Sequence, residues 1–425
     1  YEICLSDWSS DVCSSDLEAE LEVVAKFELT DQGVLKVSQT VTNLGLTEFN
    51  VEALTAYLPV PDYTKDVLDF HGRWMRERQP QRQPIHVGQW VREGREGRTG
   101  HDFTLIQFAL AEGATYERGE AWGLSLAWSG NNRQLVERTA IGRTAMAANE
   151  LLLPGEVVLG SGESYEAPTV VAVYSGNGID GASDRLHRMV RARKSHPTNI
   201  RPRPITLNVW EAVYFDHNFD KLAELAEAAS KIGVERFVLD DGWFGARRDD
   251  RAGLGDWVVS KDVWPEGLGK LVDKVKAEGM EFGLWFEGEM VNADSDLYRA
   301  HPDWILQSGG RVPPEFRTQL VLDLAHPGAY QHVFEQVDAI LSEYDIAYIK
   351  WDHNRVLTEA SHLGQAAVRK QVLAIYRMFD ELKAAHPGLE IESCASGGGR
   401  IDLGMIEHAD RFWTSDNNDA LERQS

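Results

Sequence analysis

The chain has 425 residues, 43% of them hydrophobic, and its 43 basic and 67 acidic residues give a formal net charge of -24. This acidic excess argues against nucleic acid or an anionic membrane as a partner, because binding a phosphate backbone requires clustered Lys and Arg. No apolar run in the sequence reaches the about 18 residues that span a bilayer. The length predicts two domains, one of them large enough for a barrel of about 250 residues, and the charge favours a neutral substrate.

The cysteine content and the N-terminal segment bear on the compartment in which the protein is expected. Cys4, Cys13 and Cys394 are too few for a disulfide framework and lack the paired spacing of a zinc site, which favours a reducing, cytoplasmic environment.

Residues 1–17 are rich in Ser and Asp and nearly repeat themselves, and they resemble translated sequencing-adaptor read-through. We interpret them as foreign to the fold, with a disordered native tail as the alternative. On the first interpretation the natural N-terminus, with any signal peptide, is missing.

Residues 18–178 predict an antiparallel β-sandwich. Apolar residues alternate with period two in runs that are separated by turn signals. The predicted strands are residues 21–29, 34–41, 51–58, 104–110, 123–128 and 169–174. The stretch 73–98 is too charged for a core and is predicted to be a loop or an exposed edge.

Beyond a predicted linker (179–204) with a helix at 182–194, strands alternate with amphipathic helices, as in a parallel sheet or barrel. The helix at 265–279 begins with Pro and ends with Gly, and its apolar residues follow helical spacing. The predicted catalytic domain, 205–425, contains seven strand candidates: 205–210, 236–240, 281–286, 319–324, 347–351, 389–393 and 412–415. Seven strands are one fewer than in a (β/α)8 barrel, so either the barrel is open or the chain is cut short.

Asp352 follows the fifth of these strands directly. Catalytic groups of barrel enzymes lie at the carboxyl ends of strands, and two carboxylates facing one pocket are the minimum requirement of a glycoside hydrolase. Lys350, on the same face of the strand as Asp352 and Asn354, favours the ionised carboxylate that a nucleophile requires. The alternative is a buried salt bridge that closes the barrel mouth.

A second group of carboxylates surrounds the seventh strand. Crowding among Asp410, Asp416 and Asp419 favours one protonated carboxyl that serves as a general acid. Their spacing does not identify which one, and an Asx-type turn at the start of the next helix is the alternative.

Other strand ends carry groups that suit a sugar. Asp240 and Asp241 end the second strand and offer adjacent carboxylates for neighbouring hydroxyls, although Asp residues before Gly are also ordinary loop chemistry. Trp210 and Trp285 end the first and third strands as candidate stacking platforms. The Gly-rich segment 392–400 lacks the Lys-Ser/Thr of a P-loop and predicts a wall that a ligand approaches closely, with Cys394 either in the pocket or an inert core thiol.

These segments together resemble glycoside hydrolase family 36, the microbial α-galactosidases. Six segments agree in order and approximate spacing: 239–244, 283–287, 317–324, 350–355, 392–400 and 413–417. Shorter matches at 72–79, 129–131 and 174–175 are similar to the N-terminal β-supersandwich of the family. The resemblance implies that this β-domain precedes a (β/α)8 barrel. The first half of the family's β-supersandwich, its last barrel strand and its C-terminal β-domain are expected to be absent here, so the resemblance implies a chain truncated at both ends.

The resemblance also implies a retaining double displacement on terminal α-galactosyl groups of oligosaccharides such as melibiose and raffinose, with no metal or other cofactor and with a homotetrameric assembly. Asp352 matches the family nucleophile, and Asp416 matches the acid/base. Such chemistry requires carboxyl groups roughly 5–5.5 Å apart. The implied substrate-binding residues are Trp210, Asp240, Asp241, Trp285, Arg317, Lys350, Asn354, Cys394 and Gly397.

Three alternatives remain open from the sequence. Within the same family, galactosyl transfer or α-N-acetylgalactosaminidase activity depends on pocket residues that the sequence does not locate. A truncated chain is also compatible with a catalytically silent sugar-binding fragment. A phosphate-binding barrel enzyme that uses Lys350 as a Schiff base is the third alternative, because barrels often bind phosphate at a late loop.

Overall fold

The chain divides into two compact units. The structure, a computed structural model, describes residues 8–16, 18–196, 199–309, 311 and 313–424. The first unit contains the described residues of 1–200, 399–407 and 417–425, and the second contains those of 201–398 and 408–416. Within these described ranges, no helix has both the length and the apolar character required to cross a membrane.

The first unit is an antiparallel β-sandwich, as the alternating pattern predicts. Its strands are β1 (Trp8–Asp16), β2 (Leu21–Leu29), β3 (Val34–Asn43), β4 (Phe49–Asn50), β5 (Ala56–Val60), β6 (Asp66–Arg73), β7 (Arg76–Pro84), β8 (Gly88–Gly94), β9 (Ile106–Leu110), β10 (Ala121–Leu126), β11 (Asn132–Arg138), β12 (Thr144–Glu150), β13 (Val158–Leu159) and β14 (Ser164–Ser175). The larger sheet has the order β1-β2-β3-β14-β10-β9-β6-β7 and the smaller one the order β5-β12-β11-β8, while β4 pairs with β13. Strand β12 packs on β10 and β14, which joins the two sheets face to face.

The charged stretch 73–98 contributes strands to both sheets. It contains all of β7, at one edge of the larger sheet, and all of β8, at one edge of the smaller sheet. The exposed-edge prediction is therefore confirmed and the loop alternative is wrong. Charged side chains suit an edge strand because they discourage pairing with other chains.

Residues 8–16, which the composition marks as foreign, form the outermost strand of the larger sheet. Strand β1 pairs with β2 along its whole length, from Trp8 opposite Leu29 to Asp16 opposite Leu21. The disordered alternative is wrong for these residues, since backbone hydrogen bonds can extend a sheet edge whatever the side chains. Residues 1–7 and 17 lie outside the described part of the chain, and the origin of the segment stays a prediction.

The predicted linker helix belongs to the core of the first unit. Helix α1 (Gly178–Arg191) buries Ile179 and Ala182 against Val34 and Phe108 of the larger sheet. The later segment 399–407 also belongs to this unit. There the Asp402 carboxylate accepts hydrogen bonds from Thr99 Oγ1 at 2.7 Å and Ser129 Oγ at 2.8 Å. Residues 399–407, which begin at the end of the predicted Gly-rich segment, thus pack as part of the β-sandwich unit.

The second unit is built on a six-stranded parallel sheet. Its strands, in sheet order and in chain order, are β15 (Thr206–Asn208), β16 (Arg236–Leu239), β17 (Glu281–Phe286), β20 (Tyr348–Trp351), β23 (Glu390–Ser393) and β24 (Arg411–Phe412). The other elements are α2 (Trp210–Val213), α3 (Phe219–Lys231), α4 (Gly269–Ala277), β18 (Met290–Asn292), α5 (Asp296–Ala300), β19 (Gln319–Val321), α6 (Pro327–Glu343), β21 (Ser361–His362), β22 (Gln365–Ala366) and α7 (Val368–Ala385). Helix α8 (Met405–His408) begins in the segment 399–407 of the first unit.

One strand candidate has a different partner from the one predicted. Strand β19, within the candidate 319–324, pairs antiparallel with β18 instead of joining the parallel sheet. Its expected neighbours β17 and β20 pair directly with each other. Alternation of apolar residues predicts a buried strand but does not encode its partner, so the count of seven parallel strands is wrong for this sheet.

The parallel sheet is strongly curled. Neighbouring strands lie about 4.8 Å apart, so the outer strands of a flat six-stranded sheet would be separated by about 24 Å. Instead Arg411 Nη1 on β24 donates to Thr206 Oγ1 on β15 at 3.2 Å, although these are the two outer strands. The curvature therefore brings all six strands around a common interior.

Arg236 links distant strands inside this curled sheet. Its guanidinium is fully buried and lies 2.8 Å from Glu281 on β17 and 3.0 Å from Glu390 on β23. Glu390 also lies 3.6 Å from Arg411. Because a buried charge is tolerated only with a partner, these ion pairs constrain which strands face each other.

We expect Arg236→Met to lower the free energy of unfolding by about 3–5 kcal/mol, because it leaves the largely buried Glu390 with less compensating charge. Urea denaturation of the purified protein measures this loss. Arg251→Met is the matched control, since its ion pair with Asp249 has side chains 76% and 50% exposed. The control should change stability by no more than about 0.5 kcal/mol, and equal losses in both variants would contradict the prediction.

Candidate active site

Asp352 lies directly after β20 and is only 7% exposed. Its Oδ1 accepts a hydrogen bond from the backbone N–H of His353 at 2.9 Å. Its Oδ2 accepts from Asn354 Nδ2 at 2.8 Å and from Trp285 Nε1 at 3.2 Å. All of these donors stabilise the ionised form of the carboxyl group.

The charge of Lys350 determines the protonation state of Asp352. Burial alone would raise the pKa of Asp352, but Lys350 and the hydrogen bonds from Asn354, Cys394 and the His353 backbone overcome this and hold the pKa below its usual range. Burial would likewise lower the pKa of Lys350, yet the neighbouring acidic groups, Asp240 first, hold it well above its ordinary value. Asp352 is therefore a buried carboxylate that favours the ionised state, which is the state that a nucleophile would require.

The adjacent pair Asp240 and Asp241 follows β16, and its two carboxylates have different partners. Asp240 Oδ2 accepts from Lys350 Nζ at 3.2 Å and from Asn208 Nδ2. Asp241 forms a two-point ion pair with Arg247, with Nε–Oδ1 at 2.9 Å and Nη2–Oδ2 at 2.7 Å. Burial raises the pKa of Asp241 in spite of this partner. Asp240 is thus ion-paired with Lys350, whereas Asp241 is ion-paired with Arg247, which lies outside the sequence motif.

The loop after β23 contacts Asp352 and Asp416 through consecutive residues. The backbone N–H of Ser396 donates to Asp352 Oδ1 at 3.3 Å. Gly397, with a φ of +80°, lies so close to Asp416 that a Cβ atom there would be 2.6 Å from its backbone N and 3.0 Å from its Cγ. Asp416 Oδ1 also accepts from Trp413 Nε1 at 2.9 Å. The two carboxylates therefore flank one short loop.

The other two acidic residues around the last strand are engaged in local structure. Asp410 Oδ1 accepts from Lys383 Nζ at 2.8 Å, and its Oδ2 accepts from the backbone N–H of Ile391 at 2.9 Å. Asp419 is exposed and accepts from the N–H groups of Leu421 and Glu422 at 2.8 and 3.0 Å, which is the Asx-type turn expected as the alternative. Of the three, Asp416 is the one beside the Gly397 loop.

Trp210 and Arg317 lie at strand ends but are less enclosed. Trp210 begins α2, two residues after β15, and packs edge-on against Tyr214 and Phe215 at centroid distances of 5.2 and 5.1 Å. Arg317 is exposed in the loop before β19, with a left-handed φ of 54°. Its charge nevertheless acts on the buried Glu287 at the end of β17.

The residues that contact the candidate site and were not predicted as site residues include Asn208, Arg247, Glu287, Ser396 and Trp413. Glu287 and Ser396 lie inside segments that the sequence singled out, so proximity to Trp285 and Cys394 was the available signal. Arg247 lies in the charged segment 246–251, in which the sequence analysis identified no signal, yet its side chain is 1% exposed.

The fold and the site define a class of protein, in which a curled parallel sheet with helices presents buried carboxylates at the carboxyl ends of its strands and the same chain also carries a β-sandwich. Comparison with known proteins identifies the family. A family model described as melibiase matches residues 164–425, and one described as the glycosyl hydrolase family 36 N-terminal domain matches residues 10–160. The chain therefore belongs to glycosyl hydrolase family 36, and its later part matches the melibiase domain.

Individual relatives agree with this assignment. The α-galactosidase of Escherichia coli is 43% identical over 410 residues, which cover 96% of this chain and 58% of that protein. The crystal structure of the α-galactosidase AgaA of Geobacillus stearothermophilus superposes with a TM-score of 0.93 at 36% identity, over 98% of this chain and 59% of that one. A variant of AgaA in complex with raffinose gives the same TM-score at 35% identity, over 98% and 59% of the two chains. This chain thus spans little more than half of these relatives.

Cys394 allows the enclosure of the site to be tested without any substrate. Its side chain is 1% exposed, and burial together with the Asp352 charge raises the pKa of its thiol well above the ordinary value. We expect iodoacetamide to leave Cys394 unmodified in the native protein and to alkylate it after denaturation, since only an accessible thiolate reacts. Mass-spectrometric peptide mapping measures this, with the exposed Cys13 as the internal control for reagent activity. Native alkylation of Cys394 at the rate of Cys13 would contradict the enclosed site.

Proposed function

We propose that this chain is the catalytic part of a retaining α-galactosidase that hydrolyses terminal α-D-galactosyl groups of oligosaccharides, with Asp352 as the nucleophile and Asp416 as the acid/base. The main support is the loop after β23, in which Ser396 donates to Asp352 and the next residue packs on Asp416. Retaining glycosidases require two carboxyl groups close enough to act on opposite sides of one glycosidic bond.

In the first step, a carboxylate oxygen of Asp352 attacks the anomeric carbon. The bond from that carbon to the glycosidic oxygen breaks, its electron pair passes to the oxygen, and the Asp416 carboxyl protonates it. The product is a β-galactosyl ester of Asp352. In the second step Asp416 removes a proton from water, whose oxygen attacks the same carbon. Release of α-galactose restores the Asp352 carboxylate and the protonated Asp416.

The surroundings of Asp352 suit both steps. Lys350 keeps the free carboxylate ionised, which makes it a competent nucleophile at neutral pH. The donors on Asn354 and Trp285 stabilise the charge that returns to Asp352 when the ester is cleaved. Asp240, which is held by Lys350, is a candidate to accept hydrogen bonds from sugar hydroxyls, and Trp210 is a candidate to pack against the sugar ring.

We further infer that the parallel sheet forms part of a (β/α)8 barrel. The hydrogen bond between Arg411 and Thr206, on its two outer strands, supports a nearly closed cylinder. The AgaA variant with raffinose supports raffinose-type oligosaccharides as substrates here. Homo-oligomeric assembly and a cytoplasmic location stay predictions.

The proposal is tested by release of p-nitrophenol from the α-galactoside and, in parallel, from the α-glucoside and the α-N-acetylgalactosaminide. We expect turnover of the galactoside alone, and a loss of at least about a thousandfold in kcat in Asp352→Asn, because the isosteric amide is not a nucleophile. The anomeric proton signals of the product, followed by NMR, should show α-galactose first.

Each other outcome has its own meaning. First appearance of β-galactose would rule out the retaining mechanism. Formation of longer galactosides in place of hydrolysis would identify a transferase, and turnover of the N-acetylgalactosaminide would identify the other family activity. Saturable galactose binding by a folded protein without turnover would support the silent fragment. Borohydride trapping of substrate on Lys350 would support the Schiff-base enzyme.

Gly397→Ala tests the arrangement of the loop between the two carboxylates. The new Cβ would displace Asp416, so we expect kcat for the α-galactoside to fall by about a hundredfold, as small misplacements of catalytic groups do. Gly388→Ala is the matched control, because Gly388 has a similar left-handed φ of +96° but no atom within 4 Å of the added Cβ. Gly388→Ala should lose about 1 kcal/mol of stability from backbone strain, and Gly397→Ala should lose more because its Cβ also meets Asp416. Equal kcat values in the two variants would contradict the placement of Asp416.

A further inference from the structure

Glu287 is a buried acid next to the candidate nucleophile, and the proposed mechanism does not use it. It directly follows β17, is fully buried, and makes two hydrogen bonds through its carboxyl group. Its Oε1 accepts from the backbone N–H of Asn354 at 2.6 Å, and its Oε2 lies 3.0 Å from Gln319 Nε2. Glu287 therefore connects the ends of β17 and β20 with β19.

The contact with Asn354 leads directly to Asp352. The side-chain amide of Asn354 donates to Asp352 Oδ2 at 2.8 Å, and its oxygen accepts from Ser396 Oγ at 3.0 Å. Because Glu287 holds the backbone N–H of the same residue, it limits the movement of the amide that supports the carboxylate. Loss of the Glu287 contact would leave Asn354 fixed mainly by Ser396.

The charges around Glu287 disfavour ionisation of its carboxyl group, because an ionised Glu287 would be a second carboxylate beside Asp352. Asp352 at the end of β20 carries a negative charge, while Arg317 from the loop before β19 and Arg247 from the loop after β16 are the facing cations. Burial, followed by the charge of Asp352, raises the pKa of Glu287 from 4.5 to about 8 despite these cations. Arg247 is already engaged with Asp241 at 2.7 Å, and Arg317 is exposed.

A protonated carboxyl group needs an acceptor for its proton, and Gln319 provides one. The Oε1 atom of Gln319 is buried, and no hydrogen-bond partner for it is found among the described residues. Rotation of the amide about its last bond exchanges Oε1 and Nε2, so that Oε1 faces Glu287 Oε2 and accepts its O–H. The other oxygen of Glu287 continues to accept from Asn354.

We propose that Glu287 is a positioning residue that works as a neutral carboxylic acid, fixing Asn354 against Asp352 without placing a second negative charge beside the nucleophile. This inference rests on the proposed function of Asp352. A neutral acid suits the second chemical step in particular. That step restores the negative charge of Asp352, and a carboxylate at Glu287 would oppose it by like-charge repulsion.

Glu287→Gln and Glu287→Leu separate the neutral acid from a carboxylate. Glutamine reproduces the neutral acid, with one oxygen to accept from Asn354 and an amide to donate to Gln319, whereas leucine removes both contacts. With the p-nitrophenyl α-galactoside we expect the Gln variant to keep kcat within about tenfold of the wild type and the Leu variant to lose about a hundredfold. The loss should appear in kcat more than in KM, since Glu287 itself does not touch the sugar. A Gln variant as impaired as the Leu variant, or a Leu variant as active as the wild type, would overturn the proposal.

A second measurement does not depend on catalysis, so it separates failure of this inference from failure of the proposed function. Below the unfolded pKa of 4.5 both states hold the proton, and between that value and about 8 only folded Glu287 holds it. The wild type should therefore lose stability relative to Glu287→Gln as the pH rises from about 5 to about 9. The urea midpoints of the two proteins across this range measure the effect. A difference that stays constant with pH would show that folded Glu287 is ionised and would overturn the proposal.

Discussion

The site depends on the buried ammonium group of Lys350. Asp240 and Asp352 are 4% and 7% exposed, and two carboxylates at such depth would cost several kcal/mol each without a cation. Lys350 lies 3.2 Å from Asp240, and its charge lowers the pKa of Asp352. Because Lys350 is on β20 and Asp240 follows β16, with β17 between them, the same charge also holds the curled sheet together across its interior.

The curvature of the sheet is what turns strand ends into a site. Arg236 and Arg411 bridge strands that are not neighbours, so the interior contains ion pairs in place of the apolar packing that covers a flat sheet. Such pairs tolerate few arrangements, because each buried charge needs its own partner. The strand ends that carry Asp240, Trp285 and Asp352 are consequently fixed with respect to one another before any substrate binds, as electrostatic preorganisation requires.

The loop after β23 explains why small residues follow Cys394. Gly397 adopts a left-handed φ and leaves no room for a Cβ next to Asp416, while Ser396 contacts both Asp352 and Asn354. Glu287 contacts the same group from the end of the neighbouring strand β17, through the backbone of Asn354. Asp352, the proposed nucleophile, is thus supported from three separate parts of the chain, and we expect a change in any one of them to affect its carboxylate.

The sequence alone determined the two-part organisation, the alternating patterns of both parts and the candidate residues at strand ends, because hydrophobic period and strand-end position are local properties. It left open which acid beside the last strand faces Asp352, and it assigned β19 to the wrong sheet. Tertiary structure pairs β19 with β18, places Asp416 beside the loop that also contacts Asp352, and shows the partners of Arg247 and Glu287. Strand pairing and the compensation of buried charges depend on residues far apart in the chain, such as Lys350 with Asp240 and Glu287 with Asn354. A local sequence pattern does not predict which charged side chain will be buried, or which partner will compensate its charge.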